Sequence, residues 1–287
     1  MRNEIHSAPI VEIPSDSVIR IEAARKWVSV DFQEIWDYRE LLYFLIWRDV
    51  KVRYKQTILG FGWAILQPLT TMVIFTVVFS WILSSPSDGF PYPVFTFVAL
   101  LPWNYFAGAF SRATNGVVAE AGLISKVYFP RLIIPLAGVI SGFVDLAISF
   151  VVLLGMMLYY GIAPHWGVIF LPAFLLLAAA TALGVALWLS ALNARYRDIG
   201  QLIPFLIQTW MYASPIVYPV SRVPKKYLFL YSLNPMAGVI EGFRWGLLGN
   251  TSESFSVIAV SSVVVLAILV SGLAFFKRME QSFADLL

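Results

Sequence analysis

An all-α integral membrane fold with six transmembrane helices is the class this sequence predicts, and three observations lead to it. The 287 residues are 59% hydrophobic and only 13% charged, whereas ordinary soluble domains carry about 25% charged residues. A single aqueous core of this size cannot hide so much apolar surface, so lipid must be the solvent for much of it. Six apolar runs are long enough to cross a hydrocarbon layer of about 30 Å, which takes roughly 20 helical residues. The cations stand in short clusters between those runs, as an anionic membrane surface demands and a nucleic-acid-binding face does not.

The elements follow in order. Residues 1–30 are a polar N-terminal tail containing Pro9 and Pro14, with no apolar run of a cleavable signal peptide. Residues 31–60 form an interfacial and pre-span helical region. Asp31 followed by Glu34 opens it like a capping box. Phe32, Ile35, Trp36 and Leu42 fall on one side and Glu34, Asp37 and Arg39 elsewhere, a helix lying in the inner interface with Trp36, Tyr38 and Trp47 at headgroup depth. Residues 61–287 carry the six spans, at 61–83, 90–111, 132–160, 168–192, 199–217 and 255–276.

Lysine and arginine in the loops set orientation. Arg2, Arg20, Arg25, Lys26, Arg39, Arg48, Lys51, Arg53 and Lys55 precede the first span. Arg112, Lys126 and Arg131 follow the second, Arg195 and Arg197 the fourth, and Lys277 and Arg278 close the sixth. The stretches SSPSDGFPYP and YGIAPHW carry none, so both termini are expected in the cytoplasm. The outer segment after the fifth span departs from this pattern with Arg222, Lys225, Lys226 and Arg244. Its apolar part, 227–249, is broken by Asn234-Pro235, Gly238, Gly242 and Gly246, which suits two re-entrant half-helices dipping in from the outer face. Such pieces survive only against protein or water.

No enzyme constellation emerges. Cysteine is absent and His6 and His165 are isolated, which removes the usual metal clusters and nucleophile–base pairs. There is no G-x-x-x-x-G-K-[ST] loop, so any ATP must be consumed by another chain. Asp145 lies near the middle of the third span, where an ionisable residue is a functional candidate by default. Ser141 and Ser149 share its face and Gly138 and Gly142 make a G-x-x-x-G, which favours helix packing over proton coupling. In the loop 119–135, Glu120 and Lys126 surround Leu123, Ile124, Val127 and Phe129 before Pro130. It reads as a small amphipathic helix for a cytoplasmic partner, or else as a plain connector. Trp63, Phe75, Trp210, Tyr212 and Tyr218 fall on the first and fifth spans. Such rings stack on sugars and several together would line a channel, although each alone is more often a lipid-facing or core residue.

The segments WRDVKVRYKQTILGFGWAILQPL (47–69), LISKVYFPRLIIP (123–135), NARYRDI (193–199), YASPIVYP (212–219) and NPMAGVIEGFRWGLLG (234–249) carry a resemblance. In that order they resemble the permease subunits of type-2 ABC exporters, in the branch that exports lipid-linked polysaccharides and polyol phosphates such as O-antigen, capsule or teichoic acid. The resemblance implies a homodimer in the bacterial cytoplasmic membrane, bound to two copies of a separate ATPase. ATP and Mg would sit in that partner, and no cofactor or metal in this chain. It implies a coupling helix bearing Glu120, Leu123, Lys126, Val127, Tyr128 and Phe129, outer gate helices bearing Asn234, Pro235, Glu241 and Arg244, and a path walled by spans one and five. Arg48, Lys51, Arg53 and Lys55 would then stand at the channel entrance among lipid headgroups. There they serve as a positive-inside anchor, as a latch for a lipid-pyrophosphate, or as both. Gly60 and Gly62 supply either a flexible break or close packing below the first span. Three other readings remain open: a type-2 exporter of small hydrophobic drugs or lipids, a membrane-embedded glycosyl- or acyltransferase, and a passive channel. The transferase reading wants clustered carboxylates or histidines, and only Asp145 is at hand.

Overall fold

The computed structural model describes residues 32–55, 60, 62–249, 254–280 and 283, with no strand among them. In chain order the helices are α1 (Phe32–Asp37), α2 (Arg39–Lys55), α3 (Gly62–Phe75, continued by a π-helical stretch Thr76–Ile82), α4 (Tyr92–Ala119), α5 (Ala121–Ile124), α6 (Ile133–Ile140), α7 (Gly142–Tyr159), α8 (Leu171–Arg195), α9 (Asp198–Tyr212), α10 (Lys225–Ser232), α11 (Pro235–Leu248) and α12 (Ser254–Glu280).

Helix α4 is the hub. Pro93 sits in its first turn, where a missing N–H costs nothing. Phe95, Phe97, Trp103, Phe106 and Phe110 are all buried, so the helix is apolar around its circumference and is enclosed by neighbours. Helices α3, α6, α7, α8 and α11 pack around it, and α12 closes over α8 and α11. A second cluster covers the C-terminal end of α4, where Leu45 of α2 meets Phe129, Ile133, Leu187 and Phe276.

Among the described residues, five helical stretches are long and apolar enough to cross a membrane: Gly62–Ile82, Tyr92–Ala119, Ile133–Tyr159, Trp166–Arg195 and Phe255–Glu280. They correspond to five of the six expected spans, with three differences. The second runs to Ala119, not 111, because nothing between Ser111 and Ala119 breaks a helix. Arg112 therefore lies inside α4, about 10 Å before its end at 1.5 Å per residue. The third is interrupted at Ser141, between α6 and α7. The stretch expected at 199–217 is helical only over Asp198–Tyr212, about 22 Å of rise. It stops because Pro215 and Pro219 follow and Asn234 Nδ2 takes the carbonyl of Ala213 at 3.1 Å.

At the N-terminal end, Ile35, Leu41, Leu42 and Ile46 pack inward. Trp36 turns away from them, 68% exposed, which corrects its placement on the same side as Ile35 and Leu42. Asp31, the proposed cap, and the 1–30 tail lie outside the described residues. Between α9 and α12 the chain forms two helices, α10 and α11, separated by Leu233 and Asn234. Every residue of α11 is buried. His165 accepts a hydrogen bond from the Gly167 amide at 3.2 Å and lies beside Trp166 and Trp245 as a loop residue.

Candidate functional site

The opening basic segment folds into α2, and α2 lies against α6 near the end of α4. Helical spacing does not aim its four cations together. Lys51 and Lys55 are exposed. Arg48 is drawn back onto acids, donating to Glu120 Oε1 at 2.6 Å and Asp49 Oδ1 at 3.0 Å. The Glu120 carboxylate holds the Arg48 guanidinium above its ordinary pKa, against the opposing effect of burial. Arg53 is drawn to Asp145 Oδ2, and its neighbour Tyr54 donates to Asp145 Oδ1. Burial, and then the hydrogen bond to Asp145, push the Tyr54 phenol up to about 12. Asp145, expected from its G-x-x-x-G surroundings to serve helix packing, thus also ties α7 to α2 through its carboxylate.

A third arginine joins them from the core. Arg112 of α4 places Nη1 3.8 Å from Asp145 Oδ2 and donates from Nε to the Gly138 carbonyl at 3.1 Å. The glycines of α6 and α7 explain why it fits. A Cβ on Gly138 would stand 2.9 Å from the Ala113 backbone nitrogen, so that glycine sets the close crossing of α6 on α4. A Cβ on Gly142 would stand 2.5 Å from Arg112 Nη2, so the second glycine makes room for a guanidinium. Two cavities adjoin this cluster. One of about 420 Å³ is lined by Arg48, Asp49, Arg53, Arg112 and Glu120 among others. The other, about 350 Å³, is lined by Arg53, Tyr54, Trp63, Arg112, Asp145 and Ser149 among others.

The 120–131 segment is less helical than expected. Only Ala121–Ile124 forms a turn of helix. Ile124 and Phe129 are buried and pin the ends, so Phe129 belongs to the core and not to a docking face. Glu120 is likewise occupied by Arg48. What projects is a knuckle: Lys126 is exposed, Val127 is 51% exposed and Tyr128 80%. It is held from both sides. Tyr38 donates to the Tyr128 carbonyl at 3.3 Å, and the Tyr128 hydroxyl reaches Glu34 Oε1 at 3.5 Å. The Glu34 charge, with burial second, raises the Tyr128 pKa. The Arg131 amide donates to Glu280 Oε1 at 2.9 Å, tying the segment to α12. Leu123 is half-buried.

At the other end of α4, Asn234 caps α11 by accepting from the Met236 amide at 3.1 Å. It also accepts from Trp210 Nε1 at 2.8 Å, so Asn234 and Pro235 join α11 to α9. Glu241 and Arg244 form a buried pair at 3.1 Å. Arg244 further donates to the carbonyls of Ile216 at 2.9 Å and Tyr218 at 3.3 Å, with its guanidinium 3.8 Å from the Phe95 ring centre. The aromatic candidates do not form one wall. Trp63 and Tyr212 are exposed and Phe75 lies edge-on to Phe79. Trp210 is engaged by Asn234, and Tyr218 shares a 3.0 Å hydrogen bond with Tyr231. Sequence reasoning missed Arg112 as a site residue. The signal was its place as the first of eight residues, 112–119, that continue the helix without a breaker. Among the described residues no three His, Asp or Glu side chains gather as metal ligands.

Comparison with known proteins adds a family. The model of the ABC-2 type transporter family matches residues 40–248. An O-antigen export system permease protein RfbA of Myxococcus xanthus is 26% identical over 255 residues, covering 88% of this chain and 97% of the relative. A protein of the same description from Klebsiella pneumoniae is 28% identical, covering 86% and 95%. The polysialic acid transport protein KpsM of Escherichia coli is 26% identical, covering 83% and 93%. By description these relatives are export permeases and a transport protein.

Proposed function

The chain belongs to the ABC-2 type transporter family, and from that premise we propose that it is the membrane subunit of an ATP-driven exporter of a lipid-linked polysaccharide or polyol-phosphate polymer. Relatives that export O-antigen and transport polysialic acid support the polymer class. The observation that carries the reading is the Lys126–Tyr128 knuckle. It is an exposed, partly apolar projection braced by α1, by Tyr38 between α1 and α2, and by α12, on a chain with no phosphate-binding loop of its own. A separate ATPase subunit seats on it, and movement of the knuckle is transmitted through α4 and α12.

In this account the knuckle faces the cytoplasm, as do both termini, and the site lies in the bacterial inner membrane. Two copies of the chain pair with two ATPases, using the exposed faces of α3 and α9. The stretch from α9 to 217 completes a sixth crossing, while α10 and α11 re-enter from outside and gate the exit through the Asn234–Trp210 and Arg244 contacts. Lys51 and Lys55, with Arg48 and Arg53 behind them, draw in the anionic headgroup of the carrier lipid. Coexpression of the permease with its ATPase tests the central contact. Lys126→Glu with Tyr128→Ala abolishes copurification and export while the permease still reaches the membrane; full copurification contradicts the reading.

A further inference from the structure

Asp145 is shared. Two guanidinium groups from different helices, Arg53 of α2 and Arg112 of α4, converge on its Oδ2 atom. One carboxylate oxygen does not serve both: the Arg112 contact is 3.8 Å, within ion-pair range but too long for a hydrogen bond. The chain nonetheless makes space for that guanidinium on two sides. A Cβ on Gly108 would lie 2.9 Å from Arg112 Nη1, and one on Gly142 lies 2.5 Å from Nη2. Each of the two adjoining cavities is lined by both arginines. None of Arg53, Arg112 and Asp145 is sealed, with side-chain exposures of 24%, 26% and 28%.

We propose that Arg53 and Arg112 form a binding site for a phosphate or diphosphate ester and that Asp145 is its internal occupant, displaced when the anion arrives. A phosphate group offers three oxygens and more charge than a carboxylate, so it satisfies both arginine forks where Asp145 satisfies one. Displacement has a mechanical consequence. Arg53 and Tyr54 are the residues of α2 that grip α7 through Asp145, and releasing them uncouples α2 from α7. The site therefore couples anion arrival to movement of the segment that precedes α3. The proposal rests on the export reading only for the source of the anion, a lipid headgroup rather than a soluble phosphate.

The test uses the full-length protein in phosphatidylcholine nanodiscs without any ATPase, with radiolabelled inorganic pyrophosphate followed by equilibrium dialysis. A polyprenyl diphosphate incorporated in the disc serves as competitor. Arg53→Gln and Arg112→Gln each weaken pyrophosphate binding by on the order of tenfold to a hundredfold, the scale of a charge-assisted hydrogen bond. Asp145→Asn, which removes the competing charge, tightens it by about tenfold. A merely structural Asp145 predicts the reverse, since loosening the cluster would weaken binding. Should Arg112→Gln fail to fold, Arg53→Gln on the outlying α2 carries that arm alone. Unaltered binding in the folded arginine variant, or unaltered or weaker binding in Asp145→Asn, overturns the site. Displacement by the lipid-borne diphosphate assigns the site to a headgroup, and lack of displacement assigns it to a soluble anion. Because no ATPase is present, the site can fail while ATPase association and export stand, and the converse.

Discussion

Arg244 and Arg53 each meet a carboxylate, and their surroundings make them opposites. Arg244 is paired with a residue three positions earlier in its own helix, its side chain 4% exposed and the Glu241 side chain 9%. Its Nη1 and Nη2 also donate to the carbonyls of Tyr218 and Ile216. Arg53 reaches across to another helix, beside a second arginine and two cavities. The first arrangement has no room for an alternative partner and works as a strut for the 213–219 segment. The second has room and an excess of one cation at Asp145, so its pairing is open to exchange. Burial, more than the presence of an ion pair, separates a structural contact from a functional one.

Several changes break or sharpen that contrast. Arg244→Ala should be the most damaging, removing one partner of a buried ion pair at a cost of about 3–5 kcal/mol; thermal unfolding of the detergent-solubilised protein reads it. Gly138→Val forces a side chain onto the α4 backbone near Ala113, and overpacking of this kind costs about 1–3 kcal/mol. Gly142→Ala meets instead the far end of the Arg112 side chain at 2.5 Å, which can move, and the edge of the Tyr105 ring at 3.1 Å, which need give only a few tenths of an ångström. Its effect should fall on export more than on unfolding temperature. Arg48→Gln breaks a pair whose arginine is 36% exposed, and stability should fall by no more than about 1 kcal/mol.

Tyr54 gives the smallest effect and a defined sign. Its folded pKa, about 12, lies above the usual phenol value of about 10. The neutral phenol is the form that donates to Asp145, so its contribution is complete below about pH 10 and is lost as pH rises through about 12. The difference spectrum between wild type and Tyr54→Phe should show phenolate only on the alkaline side of the ordinary tyrosine titration. An ordinary tyrosine titration would place Tyr54 in open solvent.

The apolar runs and their punctuation were legible because they are local. The five long helices, the α10–α11 break at Asn234-Pro235 and the isolation of His165 all follow from residues near one another in sequence. Helix ends were less legible. Arg112 looked like the start of a loop because arginine is costly in a span, and the partner that makes it tolerable, Asp145, lies on another helix. The basic cluster of 48–55 was legible as charge but not as arrangement. Glu120 and Asp145, distant in sequence, decide that Arg48 and Arg53 turn inward while Lys51 and Lys55 stay out. Phe129 looked like part of a docking face, yet Pro130 and the hydrophobic pocket around Ile133 turn it inward.

The account turns on where the Lys126–Tyr128 knuckle lies and what covers it. The chain contains no cysteine, so Ser125→Cys supplies a single thiol at an exposed position beside the knuckle, leaving Lys126, Val127 and Tyr128 intact. In sealed inverted membrane vesicles, whose cytoplasmic face is outward, a membrane-impermeant maleimide should label that thiol rapidly, and coexpressed ATPase should protect it. Labelling only in vesicles of the opposite orientation, unaffected by the ATPase, would contradict an exporter subunit driven from this turn.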